Sequence, residues 1–220
     1  MKTMKFLAVL ALLSFSMNTM AQNAFQKKIK ENKAALNEKA SKDARNEAKR
    51  LKKEGWTALP GGLPLEKQID RYYFFLEDYD DDMNHKYITG DNTSTAENVA
   101  AGQIQATELA RMDLAGQISS ESTGIVENMI ANKMLADDQA ASITTTLIEN
   151  KSIFSQKLGR VEPVLKIMRE NKKNNTKEVR VVLVAKTSSI KEIAKEAVRN
   201  ELEKQGKELS EELKAYFDKD

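Results

Sequence analysis

EVRVVLVAK (residues 178–186) decides the fold class of this 220-residue chain. Its central Val-Val-Leu-Val run is too continuous for a strand with one wet face and suits burial on both. Upstream, VEPVLKIMRE (161–170) also reads as a strand. The polar stretch Glu170–Lys177 joins them. Nearly everything around this pair carries helical periodicity. The expected architecture is α+β, helix-rich, with long helices packed on a small antiparallel sheet and extended N- and C-terminal helices.

Moving towards the N-terminus, Ala140, Ile143, Leu147, Phe154 and Leu158 keep helical spacing, although Thr144-Thr145-Thr146 is β-branched and weakens it. Gly159 ends that stretch. Ile125, Val126, Met129, Ile130 and Met134 form another helical face. A further helix, rich in Ala100, Ala101, Ala106, Ala110 and Ala115, is predicted to run to about Ile118, with Ser119–Gly124 as an interruption. Ser94-Thr95-Ala96-Glu97 has the capping-box spacing that would open it. Lys86–Thr89 is read as a short strand. Ser189-Ile190-Lys191-Glu192 is a second capping box, opening a terminal helix with the stripe Ile190, Ile193, Ala197, Leu202, Leu209, Leu213 and Tyr216.

Leu65–Tyr79 is helical and aromatic, with Leu65, Ile69, Tyr72, Leu76 and Tyr79 on one face. Before it, Gly55–Pro64 (GWTALPGGLP) holds three of the nine glycines, two of the three prolines and the only tryptophan. Such a stretch marks a boundary. Trp56 is expected to anchor it on the body; with Tyr73 and Phe74 it is also a candidate partner surface. Residues 22–54 are read as a basic helix with a thin apolar stripe. From 23 to 54 there are eleven basic and five acidic residues, a net +6, so residues 27–53 are a candidate contact for an anionic surface. The expected organisation is therefore a signal peptide at 1–21, the basic helix at 22–54, a linker at 55–64, an α+β core at 65–188 and a C-terminal helix at 189–220.

The signal peptide rests on three parts: a short basic start with Lys2 and Lys5, an apolar run from Phe6 to Phe15, and small residues Thr19 and Ala21 before Gln22. That apolar run is about half the length needed to span a bilayer. Export is expected, into the periplasm of a Gram-negative cell. The chain has 35 Lys+Arg and 33 Asp+Glu, and removing Lys2 and Lys5 leaves 33 against 33. A neutral chain gives no electrostatic case for binding nucleic acid. Without cysteine, no lipobox residue is available for a lipid anchor and no thiol or thiolate site can form. No other run of 18 apolar residues follows, so no transmembrane segment is expected in the mature chain.

Catalytic parts are scarce. A single histidine, His85, excludes HExxH zinc chemistry and any multi-histidine site. Neither a G-x-S-x-G elbow nor a phosphate-binding glycine loop occurs, so no catalytic residue is assigned and an enzyme is not expected. The one chemically suggestive cluster is the acidic turn 77–84. Asp78, Asp80 and Asp82 stand at the alternate positions of a calcium loop, and are candidate metal ligands. Counting from Asp78, the sixth position is Met83 where such a loop has Gly, and the twelfth is Thr89 where it has Glu. No cofactor is expected, and Ca2+ or a small ligand at this turn is the alternative.

ATELARMDLAGQI (106–118), together with VEPVLKIMRE and EVRVVLVAK, resembles the LPP-twenty lipoprotein family of Gram-negative envelopes over about residues 86–188. In that family an alanine-rich A-x-x-x-A-R-x-x-L-A-x-x-I helix precedes Val-rich strands. The resemblance implies a compact α+β domain with a helix against an antiparallel sheet, in an envelope-associated protein without established catalysis. The lipobox cysteine is missing here, and the basic N-terminal helix and GWTALPGG lie outside the pattern. The resulting expectation is an exported cell-envelope protein acting as a non-catalytic interaction or structural component, through an envelope protein or self-association.

Overall fold

The structure, a computed structural model, describes residues 39–149, 151–159, 161–171, 174–205 and 211–218. Residues 42–220 make one compact unit; residues 1–41 fall in another, of which only 39–41 are described. The signal peptide and residues 22–38 of the expected 22–54 helix thus lie outside the described residues; residues 39–41 are not helical, and the helix described there begins at Lys42.

In chain order the elements are α1 (Lys42–Lys53), β1 (Thr57–Ala58), α2 (Leu65–Leu76), β2 (Tyr87–Ala96), α3 (Val99–Ala131), α4 (Asp137–Glu149), α5 (Lys151–Lys157), β3 (Glu162–Asn171), β4 (Thr176–Lys186), α6 (Thr187–Lys204) and α7 (Glu211–Asp218). The four strands form one antiparallel sheet in the order β1-β3-β4-β2. The architecture is α+β, with helices on a small sheet. β4 is central, which is why Val179 and Val181 to Val184 are all buried. The β3–β4 hairpin turns at Asn174-Asn175, with Asn175 at φ 55°, a left-handed conformation that asparagine tolerates well.

α3, 33 residues long, organises the molecule. Its first half lies on β2 and β4, burying Ala106, Ala110 and Leu114 against Val179, Val181 and Leu183. Its second half enters a helical core, where Ile118, Val126 and Met129 meet Ile143 and Leu147 of α4, Phe154 of α5, Ala194, Val198 and Leu202 of α6, and Leu213 and Phe217 of α7. The buried face therefore turns as the helix passes from one core to the other. Two glycines set the helix-to-sheet distance. A Cβ on Gly90 would stand 2.1 Å from the Ala110 carbonyl oxygen, and one on Gly102 would stand 2.8 Å from Val179 Cγ2.

Val182 and Val184 alternate to the other face of the sheet, where α2 packs along β3 and β2 and α1 packs on α2. Ala44, Ala48 and Leu51 are the buried stripe of α1.

Three local expectations are corrected. Ser94–Glu97 is no capping box: β2 runs on to Ala96, the Ser94 hydroxyl donates to Gln105 Oε1 at 2.6 Å, and Asn98 caps α3 by accepting the Ala101 amide at 2.9 Å. Ser119–Gly124 does not interrupt α3. Ser120, Ser122 and Thr123 donate their hydroxyls to the carbonyls of Gly116, Ile118 and Ser119 four residues back, which keeps polar side chains compatible with a continuous helix. The second capping box is also unused, because α6 begins at Thr187, directly from β4, without a side-chain cap.

Candidate functional site

The acidic turn closes on itself. Tyr79 and His85 form an antiparallel bridge, Asp80 donates its amide to Asn84 O at 2.9 Å, and Lys86 donates its amide to Asp78 O at 2.9 Å. The Asp80 carboxylate accepts the amides of Asn84 at 2.8 Å and Asp82 at 3.0 Å. Those amides, Asn84 first, hold its pKa below the usual aspartate range. Asp78 accepts from Lys86 Nζ at 2.9 Å, and that hydrogen bond raises the pKa of the lysine. The alternate spacing of Asp78, Asp80 and Asp82 thus folds a turn, and two of the three carboxylates already have partners. Among the described residues no three His, Asp or Glu side chains gather as a metal site requires.

His85 is held by the same turn. Its Nδ1 lies 2.8 Å from the Leu76 carbonyl, which only accepts, so Nδ1 carries the proton; the ring lies against Tyr79, with centroids 4.4 Å apart. A shallow cavity of about 380 Å³ borders it, with Lys86, Lys186 and Lys191 among its lining residues.

Of the three candidate partner residues, Trp56 lies inside. It is 6% exposed, and the Arg169 guanidinium sits 4.6 Å from its ring centroid while bonding Glu178. Thr57 and Ala58 then pair with Met168 and Ile167, so part of the Gly/Pro stretch is an edge strand of the sheet. Tyr73 is half-buried, and Phe74 is 65% exposed. The sheet's packing demands explain the burial of Trp56: β1 is too short to shield β3 without a large side chain beside it.

Sequence reasoning missed the two side-chain systems that cover the sheet's open edges. On the β2 edge, Gln105, Asp113 and Gln117 lie along one side of α3 at multiples of four residues. Asp113 Oδ2 accepts the Asp91 amide at 3.0 Å, and Gln117 Nε2 donates to the Thr89 carbonyl at 2.9 Å. On the β3 side, buried Gln68 donates to the Leu63 carbonyl and accepts the Lys166 amide, both at 2.7 Å. The i, i+4 polar row was visible in the sequence; its partners were not. Arg111, quoted above only as part of a family-like pattern, donates to the Ser155 and Gly159 carbonyls, both at 3.1 Å, tying α3 to the end of α5.

With α3 pinned on the sheet by this row and by the close approach at Gly90 and Gly102, its outer side carries apolar residues into solvent. Ile104 is 67% exposed, Leu109 44% and Met112 38%. Ile104, Glu108 and Met112 stand at intervals of four. This surface can bury apolar area against another molecule.

No family model matches the chain, and neither the curated proteins nor the solved structures contain a match.

Proposed function

We propose that the chain is an exported component of a Gram-negative cell envelope that works by holding another envelope protein. The observation that carries this reading is Ile104, an isoleucine two-thirds exposed on a helix whose other face is buried in two cores, with Leu109 and Met112 exposed within eight residues of it. Covering such side chains returns roughly 25 cal/mol per Å2 of apolar area, which makes them anchors for a partner. Export is supported by the basic start, short apolar run and small residues before Gln22.

Two measurements test the two halves. N-terminal sequencing of the protein recovered from the periplasmic fraction is expected to begin at or near Gln22; recovery of unprocessed chain in the cytoplasm sinks export. A photo-crosslinking residue at exposed Glu108 is expected to give one adduct of defined mass in cells, lost with Ile104→Glu plus Met112→Glu. An adduct of twice the chain mass identifies self-association. No adduct, or one indifferent to those substitutions, removes this face as the contact.

A further inference from the structure

The charges on α1 are sorted by face. Ala44, Ala48 and Leu51 are buried, so the helix cannot roll. Lys42, Lys49 and Lys53 project from the opposite side and are exposed, spanning about 16 Å at 1.5 Å per residue. The acids Asp43 and Glu47 share one flank, which continues to Glu54 beyond the helix end. Arg50 stands among them, bonded to Glu47 and Glu54. The other flank carries Arg45 and Lys52, the latter reaching Glu66 at 3.4 Å. A mixed sequence, KDARNEAKRLKK, therefore folds into a helix with an acid-free basic ridge.

We propose that the Lys42–Lys49–Lys53 ridge docks the protein on an anionic phospholipid surface. Two features favour lipid headgroups over a nucleic acid. The ridge's cations are lysines, compact charges that suit a diffuse layer of phosphates better than they suit bidentate readout. Neither the ridge nor its flanks, Lys42–Lys53, hold an aromatic residue on which bases could stack. The choice of a membrane as the source of phosphate rests on the envelope reading above; the ridge itself does not.

The test is co-sedimentation of the protein, purified as cells process it, with phosphatidylglycerol–phosphatidylcholine vesicles and with pure phosphatidylcholine vesicles. Binding is expected only to the anionic vesicles and is expected to weaken with salt. A lysine near such a surface contributes about fivefold in partition, so Lys42→Gln, Lys49→Gln and Lys53→Gln together should weaken binding roughly a hundredfold. Removing the same charge elsewhere, as Lys133→Gln, Lys151→Gln and Lys186→Gln, should have a much smaller effect. An unchanged melting temperature in both triple variants shows that the fold is retained. No binding by the parent protein, equal losses in the two variants, or equally tight binding to duplex DNA at the same salt each overturns the proposal. Vesicle binding by a protein that proves cytoplasmic refutes export and leaves the ridge; an exported protein that ignores vesicles refutes the ridge alone.

Discussion

Asp113 on α3 accepts the backbone amide of Asp91, in the middle of β2, at 3.0 Å. A helix side chain thus occupies a hydrogen-bonding position that a further strand would otherwise take. Gln117 does the same at the Thr89 carbonyl. Long edge strands with free amides and carbonyls template pairing with other chains, and β2 is ten residues long.

Asp113→Ala with Gln117→Ala should therefore leave a folded protein that associates. Light scattering is expected to show concentration-dependent oligomers absent from the parent. A variant that stays at the parent's mass would show that these two contacts do not guard the edge.

Gly90 and Gly124 should respond to alanine in opposite directions. At Gly90 the new methyl would meet the Ala110 carbonyl at 2.1 Å, an overlap that costs at least about 3 kcal/mol or prevents folding. At Gly124, inside α3 with nothing within 4 Å of the new Cβ, alanine should stabilise by about 0.5–1 kcal/mol. Urea midpoints of the two variants check both signs.

Gln68→Ala should destabilise by about 2–3 kcal/mol, since it removes the partners of the Lys166 amide and the Leu63 carbonyl in a site closed to water. Gln68→Glu keeps the acceptor and loses the donor, so it should repel the Leu63 carbonyl and melt no higher than the alanine variant.

Stability should fall at both ends of the pH range. Glu47, bonded by Arg50, and Glu196, bonded by Lys157, have pKa values held below the ordinary 4.5. Their contribution is complete above that value and is lost as pH falls through the lower folded values. Tyr72 runs the other way: burial, then the nearby Asp91 carboxylate, raises its pKa above 10.0. Its neutral form is favoured in the fold, so stability declines as pH rises past 10. Tyr72→Phe should make the alkaline limb shallower, with Tyr73, also raised by burial, supplying part of what remains, and should leave the acid limb unchanged; denaturant titrations across pH read both.

β4 was legible because a central strand needs continuous apolar residues, and β3 because Val164, Leu165, Ile167 and Met168 cluster just upstream of it. β2 was largely hidden. Its sequence, YITGDNTSTA, is polar because it lies at an edge, and Gly-Asp-Asn reads as a turn until α3 is seen to require Gly90. The spacing of Ser94 and Glu97 imitates a helix start, while Asn98 four residues on supplies the real cap. Trp56 was legible as an anchor on the body; that its ring meets Arg169, over a hundred positions away, was not. The charge content of α1 was plain; its sorting into faces needed the buried stripe.

The order of the strands carries a consequence for how the chain is made. β4 is central, it is the last strand in sequence, and β2 waits for it across some ninety residues. A polypeptide emerging N-terminus first cannot close its sheet until Lys186 is available, and such late, distant pairings slow folding.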